Sequence, residues 1–436
     1  MLILSNIGHL YDGCSADPSS LHTSVDLLIE NGRIADRKDH DPSLQAGERD
    51  VLIDASGLTV TPGLIDCHGH ITVLGLDTAA MDTMNSQEAL LYVERILHTT
   101  LVDGGVTTMR DVGGATHLMK RLVDDGMLLG PRLKISICML STTGGHADFR
   151  GPDRCHGELS RLWGAGPGRP SSIVDGPWEC RQRVREIAAC GADLIKLCTS
   201  PGVASPSDHL EHREFHPDEI EAICDEAHHR GLRVAAHAHS KSGIELAIQH
   251  GVDDIQHISF MDERLVEMAA EKNCTVTPTS WVVSALESAQ DLSPFVMEKV
   301  KQVREVHAAA TQHAVTGGLK ILGGTDPVLP GMHGRNYMEL AYLIKEGLSP
   351  LQAWWGSTGL AASEIGQDDT GTLVPGQRAD LLLCEGNVLD DPSLLDQGAL
   401  REVVKDGWGH RGDLEGIPQR SYASSVRDSL WPGEPS

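Results

Sequence analysis

Positive charge is in short supply in this 436-residue chain: 36 Lys and Arg stand against 62 Asp and Glu, for a formal net charge of -26. A field of that sign repels nucleic acid and anionic membrane surfaces unless a local basic patch offsets it. The densest basic stretch, Arg181 to Arg185, is interleaved with Glu179 and Glu186 and reads as solvated helix surface, so neither partner is expected. A long apolar run at the start is missing too. MLILSNIGHLYDG has no basic n-region and breaks at Ser5, which points away from a secretory signal or membrane span and toward the cytoplasm. Paired CxxC spacing is absent among the ten Cys, and Cys67, Cys138 and Cys198 sit inside apolar runs as small core residues, the pattern of a reducing compartment. Low-complexity tracts are absent as well, since the 46 Gly are spread along the chain. What remains is a globular composition with enough length for one large core and a small accessory unit.

The pattern of apolar runs divides the chain. Residues 1–61 carry short strand signals, including SVDLLIENGRI with an Asn31-Gly32 hairpin turn, and a similar texture returns over residues 371–412 in TGTLVPGQRADLLLCE and LREVVKDGW. The two ends are expected to share a sheet in a small β-sandwich. Between them, over residues 62–370, eight short apolar runs alternate with helical stretches: LIDCHGH, VTTMRDV, LKISICM, DLIKLCT, LRVAAHA, DDIQHIS, CTVTPT and KILGGTD. Eight βα repeats make the fold class α/β and suit a (β/α)8 TIM barrel, although an open doubly wound sheet has the same periodicity. The long irregular segment from Ser141 to Pro177 reads as a lid or binding loop, and residues 413–436 as a C-terminal tail.

The first run ends in Asp66-Cys67-His68-Gly69-His70. Strand residues two apart share a face, so His68 and His70 present two imidazoles together. With 22 His in the chain such a pair also arises by chance, and the later runs decide its weight. Lys196 lies inside DLIKLC, where an uncompensated ammonium costs several kcal/mol, roughly. His237 ends LRVAAHA, His257 ends DDIQHIS, and Asp326 follows KILGGT. In a closed barrel all of these reach the C-terminal mouth.

Together with GVTTMRDVGG, the TGGH of residues 143–146, DLIKLCTSPGVASP, GVDDIQHIS, GGTDP and GTLVPGQRADLLL, these motifs make the chain resemble the amidohydrolase superfamily, in its prolidase-like and imidazolonepropionase-like branch. The resemblance covers nearly the whole chain. It implies two divalent metal ions, zinc foremost, with His68 and His70 on one and His237 and His257 on the other. Lys196 would be N-carboxylated by CO2 and bridge them, which turns a costly cation into an anion. Asp326 would complete the set of groups around the first ion, and the implied reaction is attack of a metal-bridging hydroxide on an amide carbonyl with Asp326 as the catalytic proton shuttle. His146, His239 and His333 follow strand runs on loops and are candidate substrate-binding residues. His228 and His229, near a helix end, and His156, His209, His212 and His216, in long loops, carry no assigned role.

Peptidases of this branch often place a tyrosine after the lysine strand, whereas here no Tyr falls between Tyr92 and Tyr337 and Phe215 stands near that place. The implied substrate is a small-molecule amide, a dipeptide (Xaa-Pro-like) or an N-acyl amino acid. A cyclic amide, urea or carbamate fits the same site; a deaminase, which needs no bridging lysine, and a non-catalytic scaffold, which would lose ligands, fit less well. The family also suggests a homo-oligomer. Metal analysis of the purified chain should find two divalent ions per chain; a chain that purifies without any and takes up none favours the scaffold reading.

Overall fold

The computed structural model describes residues 1–73, 75, 84–148, 165–204, 209–289 and 292–420. Seven strands come first: β1 (Leu2–Ile7), β2 (His9–Tyr11), β3 (Leu21–His22), β4 (Val25–Glu30), β5 (Arg33–Asp39), β6 (Val51–Asp54) and β7 (Leu58–Pro62). Asn31 (φ 51°) and Gly32 (φ 74°) both take the left-handed conformation that a two-residue hairpin demands, and they turn β4 into β5. The SVDLLIENGRI run is thus two strands joined at the expected Asn-Gly tip.

A parallel set follows: β8 (Leu64–Gly69), β9 (Val106–Asp111), β10 (Arg132–Ile135), β11 (Met139–Leu140), β12 (Leu194–Cys198), β13 (Arg233–Ala238), β14 (Asp254–His257), β15 (Thr275–Thr277) and β16 (Lys320–Ile321). The expected third run is broken in two at Ile137 (φ 70°), so that β10 pairs with β9 while β11 pairs with β12, Met139 opposite Lys196. One run therefore touches both neighbouring strands. Within the two sheets the order is β10-β9-β8 and β11-β12-β13-β14-β15-β16. Cys67 N–H donates to Gly323 O (2.9 Å) and Asp326 N–H to His68 O (2.8 Å), which brings β8 beside the segment that continues β16.

Helices link successive strands, and the one over Pro217–His229 shows why. Pro217 occupies the first turn with its fixed φ, Glu219 accepts from the His216 backbone N–H, and Ile220, Ile223, Cys224 and Ala227 fall on one buried stripe. That stripe joins an aliphatic core that also takes in Ile195, Leu197, Val234, Ala236 and Ile255 from the strands. Among the described residues no helix is long and apolar enough to cross a membrane.

The last strands, β17 (Leu381–Glu385), β18 (Leu400–Lys405) and β19 (Trp408–Gly409), join the first ones. β17 runs antiparallel to β7, Leu383 opposite Val60, within a six-stranded sheet of order β19-β18-β17-β7-β2-β3. A second sheet, β5-β4-β1-β6, packs its Leu4, Leu27 and Ile29 with Leu381, Leu383 and Val404 of the first. Of the expected tail, Gln419 reaches back to Glu402 (2.8 Å) and Arg420 N–H to Gly409 O (2.9 Å); residues 421–436 lie outside the described set.

The contact between β8 and the segment after β16 is close enough to forbid a side chain. A Cβ on Gly324 would meet Thr277 Cγ2 at 2.5 Å, His68 Cβ at 2.8 Å and His68 N at 3.0 Å. Gly324→Ala is therefore expected to cost about 1–3 kcal/mol through overpacking and to displace His68; an unchanged denaturation midpoint would contradict this packing.

Candidate metal centre

Because the strands are parallel, their C-terminal ends meet on one side. His68 lies in β8 with His70 just beyond it, Lys196 is inside β12, His237 is in β13 with His239 just past its end, His257 closes β14, and Asp326 follows β16. All are buried except Asp326, whose side chain is 15% exposed. Ligand atoms of His68, His70 and Asp326 lie within 4.8 Å of one another, and so do those of His237, His239 and His257. The His68 and His257 rings, 4.8 Å apart between centroids, join the two groups.

Hydrogen-bond direction decides what these rings offer. His70 Nδ1 donates to the Gly113 carbonyl (2.8 Å), and its Nε2 lies 3.4 Å from Asp326 Oδ1. His237 Nε2 donates to Pro201 O (3.3 Å), leaving its lone pair on Nδ1. His257 Nδ1 contacts Thr279 Oγ1 (2.8 Å), and its Nε2 is buried with no hydrogen-bond partner among the described residues, as is His68 Nδ1. Burial, reinforced by Lys196 and neighbouring rings, holds His68, His237, His239 and His257 well below the usual histidine pKa, so these rings are neutral. Burial pushes the Asp326 carboxyl up. Buried imidazoles thus crowd together with ring nitrogens at His68 and His257 that have no hydrogen-bond partner among the described residues. A satisfied polar core sets donors against acceptors, and the arrangement seen here fits divalent cations.

Beneath the imidazoles lies a layer that sequence reasoning missed. Lys196 Nζ donates to Gln256 Oε1, Gln256 Nε2 donates to Asp254 Oδ2 (3.1 Å), and Asp254 pairs with the Arg110 guanidinium. Arg110 Nε also holds the Cys67 carbonyl (2.6 Å), and the Thr275 and Thr277 hydroxyls donate to Asp254 (2.9 and 3.0 Å). Lys196 itself donates to a neutral amide, and burial pulls its amine down to about 8. Asp66 performs a second fixing role. It accepts from His68 N (3.0 Å), Thr325 N (3.1 Å), Thr325 Oγ1 (2.5 Å) and Asn336 Nδ2 (2.7 Å), tying the two-histidine turn to the loop that bears Asp326. His257 (φ 70°), Thr279 (φ 56°) and Asp326 (φ 46°) occupy left-handed backbone, at a cost of about 1–3 kcal/mol each.

The remaining candidates separate. His146 stacks on His237 (4.2 Å between centroids), and its backbone N–H is held by Glu214 (2.7 Å), which also accepts from Ser141 (2.6 Å). His239 stands with His237 and His257 instead of apart from them. His333 Nδ1 is 3.5 Å from Thr100 Oγ1, its Nε2 is buried without a partner among the described residues, and burial brings its pKa to about 4. Phe215 is fully buried in the aliphatic core and lines no site. His228 bonds Asp253 (2.9 Å) near a helix end, while His156 and residues 149–164 of the expected lid lie outside the described set. Arg110 lies in GVTTMRDVGG and Asp254 and Gln256 in GVDDIQHIS, but no role was read for them; the signal that could have found them was polarity inside apolar strand runs.

Comparison with known proteins agrees with this geometry. Residues 59–409 match the amidohydrolase family. Over 371 residues the chain is 30% identical to ochratoxinase of Aspergillus niger, covering 80% of this chain and 75% of that protein. It is 27% identical over 346 residues to imidazolonepropionase of Deinococcus radiodurans, covering 76% and 79%. A crystal structure of a Xaa-Pro dipeptidase with methionine bound in its active site superposes with a TM-score of 0.83 at 27% identity, covering 94% of this chain and all of that one. The chain belongs to the amidohydrolase family and is a hydrolase of amide carbon–nitrogen bonds.

Proposed function

We propose that this hydrolase cleaves the amide bond of a dipeptide of the Xaa-Pro type or of an N-acyl amino acid. The likeness to a Xaa-Pro dipeptidase supports the substrate class. In this reading the parallel strands close as a (β/α)8 barrel over residues 62–370, residues 1–61 and 371–412 form a β-sandwich, and 413–436 are a tail. The observation that carries the reading is the pair of buried ligand-type clusters with Lys196 among them.

His68, His70 and Asp326 would hold one divalent cation and His237 and His257 a second, with an N-carboxylated Lys196 shared between them; zinc suits this nitrogen and oxygen set. Two such cations supply Lewis-acid polarisation of the amide carbonyl and an acidified water. The protein does the rest. Gln256 orients the lysine from below, Asp66 holds the His68 turn, and Gly113 and Pro201 carbonyls set the tautomers of His70 and His237. Asp326, with its raised proton affinity, takes the proton of the attacking water at its carboxylate and delivers it to the leaving nitrogen. His146 and His333 would contact the substrate. The chain would work in the cytoplasm as a homo-oligomer.

The deep burial of Phe215, with no tyrosine in its place, favours keeping a second reading in which a cyclic amide, urea or carbamate is the substrate. A panel of these compounds beside Xaa-Pro dipeptides and N-acyl amino acids, run on protein reconstituted with zinc and bicarbonate, separates the two. Asp326→Asn should lower kcat by about 10²–10⁴-fold in that assay, and a fully active variant would remove it from the proton path. Lys196→Ala should bind fewer ions and lose most activity; full activity with a single ion would sink the two-cation arrangement.

A further inference from the structure

His239 is held from behind by a line of buried side chains. Its Nδ1 lies 2.8 Å from Ser259 Oγ, which lies 3.2 Å from His307 Nδ1. On the far side of that ring, His307 Nε2 is 3.4 Å from Ser280 Oγ, and Ser280 Oγ is 2.5 Å from Glu346 Oε2. Four segments contribute: the turn after β14, the helix Pro294–Thr316, the first residue of the helix Ser280–Leu286, and the residue after the helix Met338–Lys345. Glu346 is 8% exposed and the members between it and His239 are fully buried. Glu339 fixes the Ser280 turn by accepting from the Ser280 and Trp281 backbone N–H groups (2.9 and 2.8 Å). His307 shares the buried side of its helix with Val300, Val303, Ala310 and Ala314 and with the polar Lys299 and Thr311.

Burial raises the Glu346 carboxyl against the Ser280 and Thr311 hydroxyls that bond it. With Ser280 donating to an ionised Glu346, one arrangement puts a hydrogen in every gap. An ionised Glu346 only accepts, so Ser280 donates to it and accepts from His307 Nε2–H. Burial brings His307 to about 4, so the ring is neutral with one N–H, and its Nδ1 accepts from the Ser259 hydroxyl. Ser259 Oγ is then left to accept from His239 Nδ1–H. We propose that Glu346, acting through Ser280, His307 and Ser259, is a positioning residue that holds His239 in its Nδ1–H tautomer with a bare Nε2 lone pair toward the pocket. In that form His239 cannot donate to a substrate carbonyl, the role the sequence suggested. It can accept an N–H of the substrate or share a cation with His237 and His257. That consequence rests on the pocket being the amide-hydrolysing site; the tautomer does not.

The test uses the full chain labelled with 15N at histidine, metal-free and zinc-loaded, with the His239 signals identified by their loss in His239→Gln. The wild-type ring should show a protonated, pyrrole-type Nδ1. Ser280→Ala, and Glu346→Gln, whose amide can donate as well as accept, should each give a mixture of tautomers, and Ser280→Thr should restore the single form. In the zinc-loaded enzyme Ser280→Ala should lower kcat about tenfold with KM little changed, and Ser280→Thr should recover it. A protonated Nε2 in the wild type, or the same Nδ1–H form in both broken variants, overturns the proposal. Because the tautomer is read without turnover, failure to hydrolyse any amide would count against the proposed function and leave this result standing.

Discussion

Burial of nitrogen and oxygen ligand groups side by side is the constraint on which the rest depends, and the protein gathers them from four strand ends. His70 Nε2 and Asp326 Oδ1 approach within 3.4 Å, His257 Nε2 has no partner among the described residues, and a lysine amine lies among them. Burial removes water and, in the same act, makes the groups useful, since it keeps the imidazoles neutral and therefore able to ligate. A set of residues in that state is stable only if the scaffold around it is rigid enough to prevent the rings from turning away.

The layer below the pocket supplies that rigidity. Arg110, Asp254 and Gln256 form a buried line under Lys196, and Arg110 also grips the backbone one residue before His68. Asp66 binds the turn of β8 to the loop that presents Asp326 through four hydrogen bonds. Left-handed backbone at His257, Thr279 and Asp326 aims side chains inward where a regular strand would have carried them past the pocket. Each of these is unfavourable or neutral alone and makes sense only beside the imidazoles it orients.

Much of this was legible before any coordinates. Alternating spacing put His68 and His70 on one face, a lysine inside an apolar strand demanded a special partner, and the Asn31-Gly32 pair announced its hairpin because few other residues tolerate positive φ there. The β texture at both chain ends anticipated the shared sheet, since short strands of that kind must find partners. The break at Ile137 was not legible, because the apolar run continues through it and only the switch from one neighbour strand to the other requires the turn. Phe215, which stands where the family's tyrosine would be sought, is core, since sequence distance says nothing about which way a loop residue points.

Local sequence determined the chemistry available to this protein: which strand ends carry nitrogen and oxygen ligands, and in what order, because side-chain alternation and strand-ending loops are properties of a few neighbouring residues. Tertiary structure decided which of those groups meet and in what protonation. His239 joins His237 and His257, Gln256 underlies Lys196, and a serine–histidine–serine line reaches Glu346, across sequence separations of up to 66 residues between bonded neighbours. Tautomer, desolvation and ligand spacing depend on what lies on the far side of each ring, and that is set by packing between distant segments.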